Sequence, residues 1–241
     1  MKIKQIAIVI ISALMMQGCF DNPWGSCIRG DRSSVVVYGI VEPFNGIESG
    51  IHGDIIVNIT DTPTDEIIIR GEGNIISVLN TEVINGTLHI DYSQCVRRDD
   101  ALQITLNTNR LEYIELNGAG DLTIVGENST PTMHVQLDGA GDITFNALTE
   151  DLNVWINGSG DLFGSGSTTH EDIRIGGSGD YHGKNLQALN CDVTISGSGD
   201  IYVTAMETLD VIIPGSGSVF YAGNPLITKT ITGSGTVTQV N

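Results

Sequence analysis

The chain has 241 residues, with 29 acidic and 11 basic side chains, a net charge of −18 and 30 glycines. An excess of acid this large argues against nucleic acid and against anionic lipid surfaces as partners, while it suits solubility, mutual repulsion or the recruitment of divalent cations. Four cysteines without a Cys-x-x-Cys or His/Cys spacing give no zinc motif, and nothing in the chain asks for a cofactor.

Residues 1–18 read as a signal peptide. Lys2 and Lys4 precede an apolar run from Ile6 to Met16, which is too short for a stable membrane span. Met16-Gln17-Gly18-Cys19 resembles a bacterial lipobox, which implies that Cys19 becomes the acylated first residue of the mature protein. Met16 and Gln17 depart from the preferred residues of that pattern, and a plain secreted or periplasmic protein is the alternative. If Gram-negative sorting applies, Phe20 after the cysteine, in place of Asp, implies the outer membrane, facing either periplasm or medium. Cleavage removes two lysines and no acid, so the net charge moves from −18 to −20. Residues 19–32 form a tether.

Residues 33–110 read as β structure that opens a stack and caps its N-terminal end. Val35–Tyr38, Ile55–Ile59, Glu66–Arg70, Leu88–Ile90 and Leu102–Leu106 alternate or run apolar, between turns such as Asp61-Thr62-Pro63 and Asn85-Gly86. Cys27 and Cys95 sit in polar, non-repeating segments, whereas Cys191 lies among regular repeats. An oxidising compartment therefore favours a Cys27–Cys95 bridge, with three free thiols as the alternative.

Residues 111–241 carry a Gly-Ser/Ala-Gly-Asp-type tetrapeptide seven times, beginning at Gly118, Gly139, Gly158, Gly177, Gly197, Gly215 and Gly233. The period of 18 to 21 residues is that of a solenoid. Positions four and two before each first glycine are apolar in every copy but the last, where Lys229 intrudes, and the position four after it is apolar or Tyr181. Such alternation on both sides of a glycine corner predicts two short strands per coil, each with one buried face. A third side carries Leu152, Leu189, Leu209 or Leu226. The fold class is all-β, a right-handed parallel β-helix with an irregular N-terminal β cap; an antiparallel β-sandwich is the competitor, and its hairpins rarely repeat one corner at near-constant spacing. Ser49-Gly50-Ile51-His52-Gly53-Asp54 reads as a worn copy of the corner. The corner glycines are expected to supply positive φ.

Three features together carry a family resemblance: Val41-Glu42-Pro43-Phe44-Asn45-Gly46-Ile47, the run from Ile75 to Ile90 ending in Asn85-Gly86-Thr87-Leu88-His89-Ile90, and the serial Gly-Ser-Gly-Asp corners. The chain resembles, over roughly residues 40–225, the bacterial head GIN domain of auto-transporter adhesins. The resemblance implies an exported, often lipidated, right-handed β-helix at the cell envelope, and it offers no catalytic residue.

Asp121, Asp142, Asp161, Asp180 and Asp200 recur at one place in five consecutive coils, where stacked like charges repel unless something relieves them. Backbone N–H groups at each bend, as in Asx turns, are the expected relief, and no metal is assigned; a row of Ca²⁺ ions is the alternative. The position five after each first glycine gives Thr123, Thr144, Phe163, His182, Tyr202, Phe220 and Thr238, an outward column with four consecutive rings, and Trp155 points outward from the coil of Phe163. These rings either stabilise the stack as a ladder or form a ligand-binding face for a glycan or envelope protein. A non-enzymatic, lipid-anchored, adhesin-like envelope module is the leading function. A polysaccharide-active β-helix enzyme is the second, disfavoured because Arg174 and Lys184 are almost the only cations in the regular coils and the corner acids are repeated. A structural envelope protein without a discrete ligand is the third. The oligomeric state is not encoded in any recognisable motif.

Overall fold

The computed structural model describes residues 27–97 and 102–240; the leader, Cys19 and most of the tether lie outside the described residues. The corner tetrapeptide turns the chain from one sheet into a second, and the two sheets enclose the interior of a parallel β-helix. Ile143–Ile156 and Leu162–Ile175 pair in parallel register from Ile143 opposite Leu162 to Ile156 opposite Ile175, and Tyr181–Ile195 and Ile201–Ile213 continue the ladder. One-coil register places like residues over like. Ile114, Val135, Val154 and Ile173 form one inward column and Leu116, Leu137, Ile156 and Ile175 another, all at most 1% exposed. Removing one such side chain would cost about 2–5 kcal/mol.

The glycine corners work differently from the expectation. None of the tetrapeptide glycines has positive φ; among the described glycines that conformation belongs to Gly86, Gly126, Gly166 and Gly223. Gly126, Gly166 (φ 111°) and Gly223 each stand eight residues after the first glycine of a corner, Gly126 and Gly223 just past the strands Leu122–Val125 and Val219–Ala222 and Gly166 within Leu162–Ile175. At the tetrapeptide the constraint is crowding between coils: a Cβ on Gly160 would lie 2.0 Å from the carbonyl oxygen of Gly141, and one on Gly179 1.9 Å from that of Gly160. Adjacent coils touch backbone to backbone there, and no side chain fits between.

The third side also departs from expectation. Leu152 and Leu209 are buried, but Leu189 is 41% and Leu226 77% exposed. Register shifts between Gly183 and Gln187 and between Ala188 and Asn190 turn Leu189 outward, and Ala188 fills the interior. Leu226 pairs with the outward Thr208, leaving Ile227 opposite the buried Leu209. Buried Thr130, Thr149 and Thr168 line the bend between these sides; the hydroxyls of Thr149 and Thr168 each donate towards the carbonyl of the coil before, Pro131 and Glu150.

At the N-terminal end, Gly46–Ser49 and Asp54–Ile59 join the coils in parallel with Tyr113–Leu116 and Leu122–Val125. On their other side they pair, still in parallel, with Thr87–Tyr92 and Gln103–Thr108, and beyond those the pairing reverses. Val35–Ile40 runs antiparallel to Glu66–Gly71, which runs antiparallel to Gln103–Thr108, and Leu79–Ile84 forms a hairpin with Thr87–Tyr92. A one-turn helix, Gly73–Ile76, buries Ile75 against Val78 and Val96, with Ile28 and Tyr92 packed on them. Cys27 and Cys95 are joined by a disulfide, and Ile28–Arg29 pairs with Val96–Arg97 beside it. The tether therefore enters the body at a covalently fastened point.

Candidate functional site

The strand after each corner alternates inward and outward, so Asp161, with Phe163 two residues later, emerges on the outside while Leu162 fills the core. Two outward columns result, one of carboxylates and one of rings. In the first, each Asp Oδ1 accepts the backbone N–H of the equivalent residue one coil later: Asp54 from Asp121, Asp121 from Asp142 (3.0 Å), Asp142 from Asp161 (2.8 Å), Asp161 from Asp180 (2.9 Å), Asp180 from Asp200 and Asp200 from Ser218 (2.7 Å each). The expected bond within each bend is thus a bond between coils. It offsets the repulsion of stacked carboxylates and ties each coil to the next.

In the second column the rings stack. Phe163 and His182 have centroids 4.7 Å apart, His182 and Tyr202 5.4 Å, Tyr202 and Phe220 4.8 Å, with interplanar angles of 11–14°. Inside this ladder each face is covered by a neighbour, so ring edges meet the solvent, with Phe163 at the end 38% exposed. The column continues through the whole molecule. Cross-strand register carries it from Thr238, Phe220, Tyr202, His182 and Phe163 to Thr144, Thr123 and Ile56, then to Thr105, Ile68 and Tyr38. None of these residues is an Asp, Glu, Lys or Arg, in a chain of net charge −18. The sequence pattern missed the last four. Reading Ile56 demanded allowance for one extra residue in the worn corner Gly50-Ile51-His52-Gly53-Asp54, and Thr105, Ile68 and Tyr38 enter through crossed strands with no common spacing.

Trp155 does not join this column. It lies on the sheet that precedes the corners, edge-on to His134 (4.5 Å) and beneath the Arg174 guanidinium (5.6 Å), which also pairs with Asp172. A groove of about 570 Å³ runs over the corners, floored by Gly118, Gly139, Gly158 and Gly177 and walled by Asn117, Asp138 and Asn157. It offers the amides of Asn117 and Asn157, the Asp138 carboxylate, the hydroxyls of Ser159 and Ser178 and backbone, with His52 its one ring.

Among the described residues the interior holds a polar cluster around Glu171 that no sequence motif announces. Glu171, 1% exposed, accepts the Tyr181 hydroxyl at 2.6 Å and faces the Cys191 thiol at 3.7 Å. Burial pushes the Glu171 carboxyl up to about 7, against the opposing pull of its two hydrogen bonds, and burial raises the Tyr181 and Cys191 groups as well. Counting six residues back from the corner glycine would have placed Glu171 in the inward column of Leu152, Cys191 and Leu209. Gly164 and Gly183, inward on neighbouring strands, leave the space the Tyr181 side chain occupies, since a Cβ on Gly164 would lie 2.7 Å from its hydroxyl and one on Gly183 2.5 Å from its ring.

No curated protein matches the chain. Among solved structures it is similar to a "putative adhesin" from Bacteroides fragilis, with a TM-score of 0.82 and 27% identity over 88% of this chain and 100% of that one. A "putative lipid binding protein" from Parabacteroides distasonis shares the fold at a TM-score of 0.70 and 23% identity, over 90% of this chain and 100% of that one. A "putative adhesin" from Parabacteroides merdae does so at 0.65 and 19%, over 89% and 99%. Residues 43–225 match one family model across most of the chain, and the protein belongs to that family, described as "Putative auto-transporter adhesin, head GIN domain".

Proposed function

We propose that the protein is a non-enzymatic, adhesin-like binding module of the cell envelope, anchored through a lipid on Cys19, which holds an extended, uncharged partner lengthwise on the ring-bearing sheet. A neutral glycan is the partner of best fit. The observation that carries this reading is the uncharged column from Tyr38 to Thr238 beside the carboxylates, on a protein otherwise dominated by acid. Hydroxyls of Thr123, Thr144 and Thr238 and the ring edges between them repeat at about the 4.8 Å strand spacing, close to the length of one sugar unit. The Asp column alongside repels uronic acids and phosphate-bearing chains. Ring faces inside the ladder are engaged with one another, so contact falls on edges and hydroxyls. Envelope location accords with the family. The corner carboxylates, each tied to the next coil, support binding over glycosidic catalysis, which needs two differentiated acids at one bond.

An array of neutral and acidic glycans tests the binding reading, run in parallel with a turnover screen on the same sugars. Binding to neutral chains, weakened by Thr144→Asp, is the expected result. Exclusive capture of acidic glycans, or turnover of any of them, overturns it. Intact mass of the exported protein reads the anchor separately: a diacylglyceryl-modified Cys19 is expected, and an unmodified mature chain refutes lipidation.

A further inference from the structure

We propose that Asp161, Asp180 and His182 form a binding site for one transition-metal dication, with Zn²⁺ the ion of best fit. One ligand atom from each of the three lies within 4.8 Å of the other two, and His182 Nε2 is 3.8 Å from Asp161 Oδ2. Zinc bonds of about 2.0–2.1 Å to nitrogen and oxygen imply ligands roughly 3.4 Å apart in a tetrahedron, so His182 and Asp161 close by about 0.4 Å and no pair by more than about 1.4 Å, within the reach of side-chain rotation.

Two features unrelated to a metal hold these atoms in place. Stacking between Phe163 and Tyr202 fixes the plane of the His182 ring. The N–H groups of Asp180 and Asp200 fix one oxygen of each carboxylate, Asp161 Oδ1 at 2.9 Å and Asp180 Oδ1 at 2.7 Å, which turns the second oxygen of each away from the backbone. Every ladder position from Asp54 to Asp200 supplies a carboxylate, but only here does the ring column supply an imidazole; elsewhere it offers Ile, Thr, Phe or Tyr.

Imidazole with two carboxylates suits Zn²⁺ over Ca²⁺, which prefers six or more oxygens. The three side chains are partly exposed and come from one side, so water completes the coordination on the solvent side. The negative field of the protein raises the local concentration of any dication. The site stands whether or not the surrounding face binds a glycan.

The test is calorimetric titration of the chelator-stripped, full mature chain with ZnCl₂ and, separately, CaCl₂. One Zn²⁺ per chain is expected, with no comparable uptake of Ca²⁺. H182F, which keeps a ring in the ladder, and D161N should each weaken Zn²⁺ binding by more than about tenfold, the least that loss of even an outer-shell partner costs. D142N, one coil away, should leave it unchanged. Thermal melts of the metal-free variants confirm that each is folded, and Co²⁺ absorption reports nitrogen–oxygen coordination independently of affinity. Failure to bind Zn²⁺, or equal binding by the wild type and H182F, overturns the proposal.

Discussion

At the scale of single residues, the tightest constraint is the contact between stacked corners. Gly160→Ala already drives a Cβ into the Gly141 carbonyl at 2.0 Å, so this smallest change is expected to cost more than about 4 kcal/mol or to prevent folding, as read by thermal melting. Near-normal melting would mean that the coils can separate there. Glu171 gives a pH signature. Its carboxyl sits at about 7 in the folded chain against an ordinary 4.5, so the folded form holds its proton over a range in which the unfolded chain has lost it. Its contribution to stability is complete below about pH 4.5 and is lost as pH rises through 7, by on the order of 3 kcal/mol. Glu171→Gln, which still accepts the Tyr181 hydroxyl, should remove that slope from denaturation measured between pH 4.5 and 8. An identical slope in both proteins would locate the dependence elsewhere.

At the scale of elements, the ring ladder and the carboxylate ladder both bind one coil to the next. Tyr202 contacts two rings, so Tyr202→Ala should destabilise by about 1–3 kcal/mol, and Phe163→Ala, which loses one ring contact, by about half as much. Urea denaturation of the two variants checks the ranking, and equal losses would mean that the rings do not act as a stack. Much of this was legible in the sequence because a solenoid repeats its environment. Once the corner glycines set the count, Ile143, Leu162 and Tyr181 had to share an inward column and Phe163 and His182 an outward one. What stayed hidden was whatever depends on neighbouring coils. A carboxylate in a Gly-rich bend reads as a local turn former, and only stacking reveals that Asp142 reaches the N–H of Asp161. Glycine likewise suggests a left-handed bend, whereas Gly160 is required by the chain beneath it. Leu189 faces outward because of an irregular strand register, which no periodicity announces.

For the molecule as a whole, the two ends are unlike. The N-terminal end is closed by crossed strands, a helical turn and the Cys27–Cys95 bridge across 68 residues, whereas of the last two strands Leu226–Ile231 is exposed at five of its six positions and Val237–Gln239 at two of its three. Reduction of the bridge should lower stability by about 4 kcal/mol, seen as a drop in melting temperature under a reductant. Hydrogen exchange should find Leu226–Gln239 opening first, and uniform protection from end to end would contradict this. The carboxylate ladder also has a direction. Each finished coil displays an acceptor that only a later one can satisfy, so growth has a forward sense, and a polypeptide threaded out of the cell amino end first would meet its template already built, winding itself up as it emerges.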